Sequence, residues 1–292
     1  LITIDGKVMA VAFMANTQHL YVRTDVLKAN GIAIPKTYEE VVAASEKIRA
    51  AGKMKYPYAA AYKAGWNLAE EFVNMYIGHG GEFFEAGSAK PSINNAKGVA
   101  TLNMLKKLAD LSNPDYLTHD SEAIKVEWEA GNVAIMTLWA SRSGTLLDDE
   151  GDAKITAATK LVAPATVGGG NIPAATLWWD GFTLAKNRPD ADAEASFRAM
   201  AHAASSKEMV AKASDQAVWL VEGFVPGPKS VGVIEAVKMG AKPYPMLPQM
   251  GLMHGALGNE IVEFLQGNES AEQALKDVEA AYNTKAKEQG FL

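Results

Sequence analysis

Apolar and polar positions alternate at the start of the chain and then follow helical spacing. The stretch "ITIDGKVMAVAF" has two apolar runs around Asp5-Gly6, a dipeptide typical of tight turns, and predicts a β-hairpin. The following "HLYVRTDVLKANGI" predicts a short strand that passes into a helix ending at Gly31. A strand that leads directly into a helix is characteristic of α/β folds.

Helical spacing and helix start signals recur along the rest of the chain. Thr37 and Glu40 form a capping box before "YEEVVAASEKIRA", and Ser270 with Gln273 forms the same pattern before the terminal helix. Further helices are predicted at 68–78, 94–112, 121–132, 191–205, 206–214 and 259–267. Strands are predicted from the apolar runs "YPYAAAY", "VAIMTLW" and "TLWWDGFT" and near residue 161. This alternation predicts an α/β protein.

Composition narrows the class of protein. With 292 residues, of which 48% are hydrophobic, the chain is long enough for about two domains with their own cores. Its net charge of −6 argues against a nucleic-acid partner, which requires a basic face. The sequence has no apolar run of about 18 residues, so no membrane-spanning helix is predicted. The absence of cysteine excludes disulfides and thiolate chemistry, and fits a cytosolic and a periplasmic location equally well.

The sequence lacks the common motifs of enzymes. It has no G-x-S-x-G, no G-x-x-x-x-G-K-[ST] and no H-E-x-x-H. No two of the five histidines have metal-ligand spacing, and neither a metal site nor a cofactor is predicted. The acidic pairs Glu70-Glu71 and Asp148-Asp149 are interpreted as solvated faces. The sequence therefore favours a binding protein.

Tryptophans beside polar residues are the informative class. An exposed indole stacks on the C–H face of a pyranose ring, while carboxylate, amide or guanidinium groups bind the ring hydroxyls. Trp128 lies on the apolar face of a helix and is predicted to be core. The candidates for ligand contact are Asn16, Gln18, Trp66, Asn67, Trp139, Arg142, Trp178, Trp179, Asp180 and Gly181. His254 is a further candidate, on a loop after the proline-rich crossing "KPYPMLPQMG".

The double tryptophan lies on the predicted strand "TLWWDGFT". Because a strand alternates its side chains between two faces, Trp178 and Asp180 point one way and Trp179 the other. We expect the face of Trp178 and Asp180 to contact ligand. The alternative for Asp180 is a structural salt bridge to Arg142 or Lys186.

A series of stretches in fixed order points to a known family. They are "HLYVRTDVLKANGIAIPKTYEEVVAASEKI", "GHGGEFF" with "PSINNAKGVATLNMLKKL", "WEAGNVAIMTLWAS", "LWWDGFTLAKNRPDADAEASFRAM", "EGFVPGPKSV" and "ALKDVEAAYN". In order and spacing they resemble the extracellular solute-binding proteins of bacterial ABC importers, the sugar-binding family that includes maltose-binding protein. The resemblance runs from near residue 8 to the C-terminus. One departure is Asp180-Gly181, where relatives commonly have paired glycines.

The resemblance implies two α/β lobes that are joined by crossing segments and close over a ligand. Residues 1–15 and 184–243 would form part of lobe one, and residues 16–183 and 244–292 would form lobe two. Hinges are expected near 14–18, 180–184 and 241–248. Family members carry about a hundred further residues, including a signal peptide, ahead of the point at which this chain starts. We therefore expect lobe one to be incomplete here and to be completed by an N-terminal segment of the same protein.

The function implied by the resemblance is capture of a sugar or polyol and its delivery to the membrane subunits of an ABC permease, without covalent chemistry. The location would be the periplasm or, in a Gram-positive host, the outer face of the membrane. One alternative keeps the fold and binds a sugar acid, an amino acid derivative or a polyamine; Arg142 favours an acid and Asp180 a cation. A glycoside hydrolase is the other alternative, and it needs two carboxylates about 5 to 9.5 Å apart, of which only Asp180 stands out.

Overall fold

The computed structural model describes residues 2–148 and 151–292, and its strands and helices confirm the predicted α/β class. The strands are β1 Ile2–Ile4, β2 Lys7–Asn16, β3 Gln18–Arg23, β4 Tyr58–Ala59, β5 Ile135–Trp139, β6 Thr159–Val162, β7 Thr176–Phe182, β8 Val218–Trp219 and β9 Lys242–Pro243. The helices are α1 Thr24–Ala29, α2 Tyr38–Ala50, α3 Trp66–Gly78, α4 Ala96–Ala109, α5 Ser121–Glu129, α6 Ser143–Leu146, α7 Ala153–Ala158, α8 Asp190–Ser205, α9 Lys207–Lys212, α10 Val231–Lys238, α11 Met250–Glu260, α12 Val262–Gln266 and α13 Ala271–Glu288.

The predicted hairpin at the start of the chain is confirmed. Strands β1 and β2 pair antiparallel, and the turn between them has positive φ at both Asp5 (49°) and Gly6 (75°). Two consecutive residues of positive φ are what a tight turn requires if it is to match the twist of its strands. The dipeptide therefore determines the register of the hairpin.

The strands form two sheets, and the chain passes from one to the other at Thr17. The first sheet has the order β1-β2-β7-β9, with β8 also pairing with β2, and the second has the order β4-β5-β3-β6. Strand β2 ends at Asn16 and β3 begins at Gln18. Thr17 is fully buried, and its hydroxyl donates to the carbonyl of Thr176 at 2.8 Å, which ties the crossing to β7.

Strand β7 belongs to the first sheet. Its residues Trp178 to Phe182 pair with β2, and Thr176 and Leu177 pair with β9. The predicted division placed this strand at the end of lobe two. Because β7 is hydrogen-bonded to β2 and β9, the chain passes from the second sheet back to the first before β7, and not after it. The lobe boundaries themselves stay a prediction.

Helix starts follow the sequence closely. The hydroxyl of Thr37 accepts from the backbone N–H of Glu40 at 3.1 Å, and the hydroxyl of Ser270 accepts from that of Gln273 at 3.2 Å. Both predicted N-caps are confirmed. The reciprocal half of each capping box is not observed among the described residues, because Glu40 accepts from the N–H of Lys36 and Gln273 donates to Asp277. A side-chain oxygen at this position satisfies one of the backbone donors that the first helical turn leaves unpaired.

The main hydrophobic core lies between the second sheet and helices α2, α3, α4, α11 and α13. A second cluster around Tyr21, Met136 and Leu138 fills the other face of that sheet. Trp128 is part of it, is fully buried and donates its indole N–H to the hydroxyl of Thr159 at 3.1 Å. The prediction that Trp128 is a core residue is therefore confirmed.

Two local predictions are wrong. Glu70 and Glu71 are buried within α3 instead of forming a solvated face. His254 lies within helix α11 and not on a loop, and its side chain is buried. Helix α11 packs against both α3 and α13 and is apolar on several sides, so it lacks the one-sided spacing that marks a surface helix.

The predicted strand "YPYAAAY" is shorter than expected. Only β4 forms there, although residues 58–62 are all buried.

The elements around the first sheet are much more exposed. None of the side chains that the structure describes in α8 is buried, and Phe197 in that helix is 49% exposed. On the hairpin, Ile4, Val8 and Met9 are also exposed. No helix within the described residues combines the length and apolar character needed to cross a membrane.

Candidate functional site

Five aromatic side chains from separate parts of the chain form one cluster beside the crossing at Thr17. The members of this aromatic cluster are Trp66, Trp139, Trp178, Tyr244 and His254. The three indole centroids are 5.8 to 6.2 Å apart, Tyr244 is 4.4 Å from Trp178, and His254 is 5.0 Å from Trp66. Four of the five were predicted from the sequence to contact ligand.

Strand pairing at the crossing places two of the indoles. Asn16, the last residue of β2, is paired with Trp178 in the first sheet. Gln18, the first residue of β3, is paired with Trp139 in the second sheet. Because Asn16 and Gln18 are separated only by Thr17, their partners Trp178 and Trp139 lie close together although they belong to different sheets. Their rings are nearly perpendicular, at 84°.

A close backbone approach places Trp66. Gly65 precedes α3 with a φ of 94°, and its N–H donates to the carbonyl of Gly258 in α11 at 2.9 Å. A Cβ at Gly258 would lie 2.2 Å from the Gly65 carbonyl oxygen, so only glycine permits this contact. The first turn of α3 is thereby held against α11, and Trp66 comes to lie beside His254.

His254 forms the buried base of the cluster. One ring nitrogen, Nε2, lies 3.0 Å from the carbonyl oxygen of Trp66, and the other, Nδ1, lies 2.9 Å from the hydroxyl of Tyr244. Burial lowers the pKa of His254, which favours the neutral ring. A carbonyl can only accept, so Nε2 donates to Trp66 and Nδ1 accepts from Tyr244. Both nitrogens are engaged within the protein.

Trp66 forms the open side of the cluster. Its side chain is half exposed, whereas Trp139 and Trp178 are partly buried. A large apolar ring at the start of a helix, held in place by its neighbours and facing solvent, provides a flat surface on which a ring or chain of C–H groups can stack. The cluster therefore has the form of a binding surface with a rigid base.

Glu70 lies under the cluster and was not predicted as part of it. The indole N–H of Trp178 lies 3.1 Å from Glu70 Oε1 and 2.8 Å from the hydroxyl oxygen of Thr176. Burial raises the pKa of Glu70 to about 8. The usable signal was the spacing in "WNLAEEFVNMYIG", since Trp66, Glu70 and Asn74 are four residues apart and share one helix face.

Tyr244 was also missed. It follows β9 directly, and its backbone N–H donates to the carbonyl of Leu177 at 3.2 Å, which places its ring against Trp178. The sequence signal was its position between two prolines in the crossing "KPYPM", within one of the predicted hinges. Burial strongly raises the pKa of the Tyr244 hydroxyl, so it remains protonated.

Asn16 and Gln18 are buried and hydrogen-bonded within the protein. The Asn16 amide donates to the Ser141 hydroxyl at 3.2 Å, and its oxygen accepts from the N–H groups of Thr17 and Ser141. The Gln18 amide donates to Glu71 at 2.9 Å and accepts from Asn74 at 3.2 Å. Both residues hold the crossing in place.

Arg142 and Asn67 flank the cluster in sequence. The Arg142 guanidinium forms an ion pair with Glu122 on α5. Asn67 is partly exposed next to Trp66. An acidic ligand would have to compete with Glu122 for Arg142.

Strand alternation separates the two adjacent tryptophans as predicted. Trp178 belongs to the aromatic cluster. Trp179 is 37% exposed, and the ring contacts within the described residues do not include it. A Cβ at Gly181 would lie 2.8 Å from the Trp179 ring, so glycine makes room for that indole. Trp179 and Gly181 therefore pack together.

Asp180 is exposed on the strand that carries Trp178. Partial burial raises the pKa of its carboxyl. Within the described residues, Asp180 forms no salt bridge, and Arg142 pairs with Glu122 instead.

Residues 2–148 and 151–292 contain no group of three or more His, Asp or Glu side chains that could hold a metal ion.

A family profile described as "Bacterial extracellular solute-binding protein" matches residues 1–243. A "Probable ABC transporter-binding protein" of Deinococcus radiodurans is 32% identical over 193 residues, which cover 63% of this chain and 44% of that protein. A "Probable amino-acid ABC transporter periplasmic-binding protein" of Sinorhizobium fredii is 30% identical over 128 residues, or 42% of this chain and 29% of that protein. The match thus spans less than half the length of each relative.

Solved structures with the same fold hold small polyhydroxylated ligands. Maltose-bound MalE3 of T. maritima has a TM-score of 0.82 at 21% identity, and the match covers 97% of this chain and 74% of that one. A solute-binding protein of Agrobacterium radiobacter in complex with ribitol has a TM-score of 0.80 at 19% identity, with coverage of 97% and 72%. One from Agrobacterium vitis with bound D-mannitol has a TM-score of 0.79 at 17% identity, with coverage of 99% and 75%. The expected solute-binding fold is confirmed.

Proposed function

The chain belongs to the bacterial extracellular solute-binding protein family, and on that premise we propose that it captures a sugar or polyol at the aromatic cluster and delivers it to an ABC permease. The ligand lies between the two sheets and contacts both. It is held without covalent chemistry, and the protein acts outside the cytoplasmic membrane, in the periplasm or, in a Gram-positive host, anchored to the membrane.

The aromatic cluster is the observation that carries this proposal. Three indoles from α3, β5 and β7 meet at the point where the chain changes sheets, and Trp66 offers half of its surface to solvent. The C–H face of a sugar or the carbon chain of a polyol packs on such rings. The exposed Asp180 carboxylate then accepts hydroxyl protons in charge-assisted hydrogen bonds. The ligands of the structural neighbours, maltose, ribitol and mannitol, belong to this chemical class.

A ligand that bridges both sheets would favour a closed arrangement, because it shifts a conformational equilibrium only by its differential affinity for the two states. The lobes proposed from the sequence are residues 1–15 with 184–243 and residues 16–183 with 244–292, except that β7 is assigned to the lobe of the first sheet because it pairs with β2 and β9. The proposed hinges lie near 14–18, 180–184 and 241–248. The sheet change at Thr17 and the contact of Tyr244 with Leu177 support the first and third of these hinges.

A further N-terminal segment is proposed as the partner of the first sheet. The exposed apolar residues Ile4, Val8 and Met9 and the uncovered helix α8 support this, since soluble proteins rarely leave a large apolar surface open. The structural neighbours are also longer, with this chain covering 72–75% of the three described above. The segment would complete the lobe on which these residues lie.

An amino acid derivative is the second candidate ligand, because the Sinorhizobium fredii relative is described as a probable periplasmic-binding protein of an amino-acid ABC transporter. Its carboxylate would require Arg142, which is paired with Glu122. The cluster has aromatic rings at its open side instead of a free cation, and this favours the neutral sugar or polyol. The remaining candidate ligands, sugar acids and polyamines, are included in the ligand screen described next.

The test is a thermal-shift screen of the full-length protein with maltose, ribitol, mannitol, a sugar acid, an amino acid set and putrescine, followed by calorimetric titration. A true ligand at 100 times its Kd stabilises the protein by about 2.7 kcal/mol. We expect a sugar or polyol to do so. If only amino acids or putrescine stabilise the protein, the ligand is not a sugar or polyol. If the protein cleaves a glycoside during incubation, it is an enzyme.

A further inference from the structure

Helix α3 carries two adjacent carboxyl groups inside the protein. Glu70 is fully buried and Glu71 is 4% exposed. Within residues 2–148 and 151–292, no lysine or arginine forms an ion pair with either acid, and the Oε2 atom of Glu70 has no hydrogen-bond partner. A buried acid without a cation beside it is costly to ionise, so it is either protonated or held by hydrogen bonds.

The two acids contact different parts of the protein. Glu70 Oε1 accepts from the Thr176 hydroxyl at 2.8 Å and from the Trp178 indole N–H at 3.1 Å, both on β7. Glu71 Oε1 accepts from the Gln18 amide at 2.9 Å, on β3. Of the two acids, only Glu70 is therefore connected to a ring of the aromatic cluster. It shares the Trp178 N–H with the Thr176 hydroxyl oxygen, which lies at 2.8 Å.

We propose that Glu70 is the positioning residue of the aromatic cluster: by accepting the Trp178 N–H it sets the orientation of that indole, and hence the face that the ring presents to the ligand. The second half of this inference, that the orientation of Trp178 affects ligand binding, rests on the proposed function. The first half concerns the ligand-free protein and is independent of it. Trp178 is in contact with Trp66, Trp139 and Tyr244, so a change in its orientation moves the whole cluster.

The proton on Glu70 matters for the design of a test. The titratable groups that face it are Glu71 on its own helix, Tyr244 beyond β9 and His254 behind Tyr244 on α11. Asn74, Thr176 and Gln18 complete the surroundings and are neutral. Burial raises the pKa of Glu70 to about 8, so the group is protonated at neutral pH and glutamine is its close mimic.

The test compares Glu70→Gln and Glu70→Leu, with Glu71→Gln as the matched control. The indole N–H signals of the ligand-free protein are followed by ¹⁵N NMR from pH 6.5 to 9.5, and the Trp178 signal is assigned with Trp178→Phe. We expect the Trp178 signal of the parent to titrate near pH 8, to stay constant in Glu70→Gln and to titrate as in the parent in Glu71→Gln. Affinity for the sugar or polyol found in the screen is then measured at pH 7 for the two Glu70 variants.

For affinity, we expect Glu70→Gln to remain within about threefold of the parent and Glu70→Leu to bind at least about tenfold more weakly. If Glu70→Leu does not fold, the NMR comparison of Glu70→Gln with Glu71→Gln decides the question. A Trp178 signal that still titrates in Glu70→Gln, or parental affinity in a folded Glu70→Leu, would overturn the proposal. A parent that binds no sugar or polyol contradicts the proposed function, while the NMR result still decides whether Glu70 orients Trp178.

Discussion

Helices α3 and α8 have similar lengths and opposite burial. In α3, which has 13 residues, every residue from Leu68 to Gly78 is buried, whereas the 16 residues of α8 include no side chain described as buried. Both stretches were predicted as helices from the sequence. The difference lies in the surroundings, since α3 packs against α4 and α11, and Phe197 of α8 stays half exposed. An amphipathic pattern therefore predicts a helix, but not the presence of the surface that covers it.

Removal of one phenylalanine from each helix should have very different effects on stability. Phe72→Ala in α3 should lower the free energy of unfolding by about 3 to 5 kcal/mol, because the fully buried ring leaves a cavity. Phe197→Ala in α8 should cost less than about 1 kcal/mol, since the ring is already half in water. Urea unfolding of both variants measures the difference. Equal costs would show that α8 is as tightly packed as α3.

Hydrogen exchange measures the local stability of the two helices without mutation. Amides of α3 and α13 should exchange at least about 100-fold more slowly than those of α8, a difference of about 2.7 kcal/mol in opening free energy. In a longer protein that carries the proposed N-terminal segment, the amides of α8 and of the hairpin β1–β2 should be more protected than in this chain. Unchanged protection of α8 in the longer protein would contradict the idea that this segment covers it.

Two tryptophans provide a matched pair, Trp66 in the aromatic cluster and Trp128 in the core. Trp66→Ala should weaken ligand binding by roughly 30-fold, about 2 kcal/mol, and leave the melting temperature of the ligand-free protein nearly unchanged. Trp128→Ala should do the reverse and destabilise the fold, because this indole is fully buried. Calorimetric titration and thermal melts of both variants separate the roles. If Trp66→Ala unfolds the protein while Trp128→Ala is neutral, the two roles have been exchanged.

The pH dependence of stability reports on the buried acids of α3. Burial raises the pKa of Glu70 and of Glu71 from 4.5 to about 8, so the unfolded chain releases these protons first and stability falls as the pH rises towards 8. Each carboxyl contributes a slope of at most about 1.4 kcal/mol per pH unit. His19 and His254 have lowered pKa values and act in the opposite direction below about pH 6.5.

Unfolding should therefore be measured between pH 6.5 and 8, where the histidines contribute little. The slope of Glu70→Gln should be shallower than that of the parent, because glutamine carries no proton to lose. An unchanged slope would mean that Glu70 is already ionised within the fold.

The smallest expected effect concerns Asp180, for which a salt bridge was the alternative role. Asp180→Asn retains one acceptor and removes the charge, and we expect roughly tenfold weaker ligand binding, about 1.4 kcal/mol, at an unchanged melting temperature. Titration of the variant beside the parent measures this. Parental affinity together with a lower melting temperature would make Asp180 a structural residue.

The site shows which of its residues could be found in the sequence. Trp66, Trp139 and Trp178 were found because an indole beside polar residues at the end of an element is a recognisable pattern. Asn16 and Gln18 were predicted as polar residues at the first expected hinge, but they hydrogen-bond within the crossing. Whether a polar side chain faces a ligand or another part of the protein depends on contacts more than 50 residues away in the chain, such as that of Gln18 with Glu71.

Local patterns by themselves determined the elements of this protein. The Asp5-Gly6 turn, the caps at Thr37 and Ser270 and the burial of Trp128 depend on neighbours a few residues apart or on the spacing of one helix, which the sequence displays directly. The order of the blocks also determined the family. The burial of Glu70 beneath Trp178, the contact of His254 with Trp66 and the exposure of α8 follow from long-range packing. These properties depend on which distant surfaces meet, and a carboxyl or an apolar stripe has the same local sequence pattern whether its partner is water or protein.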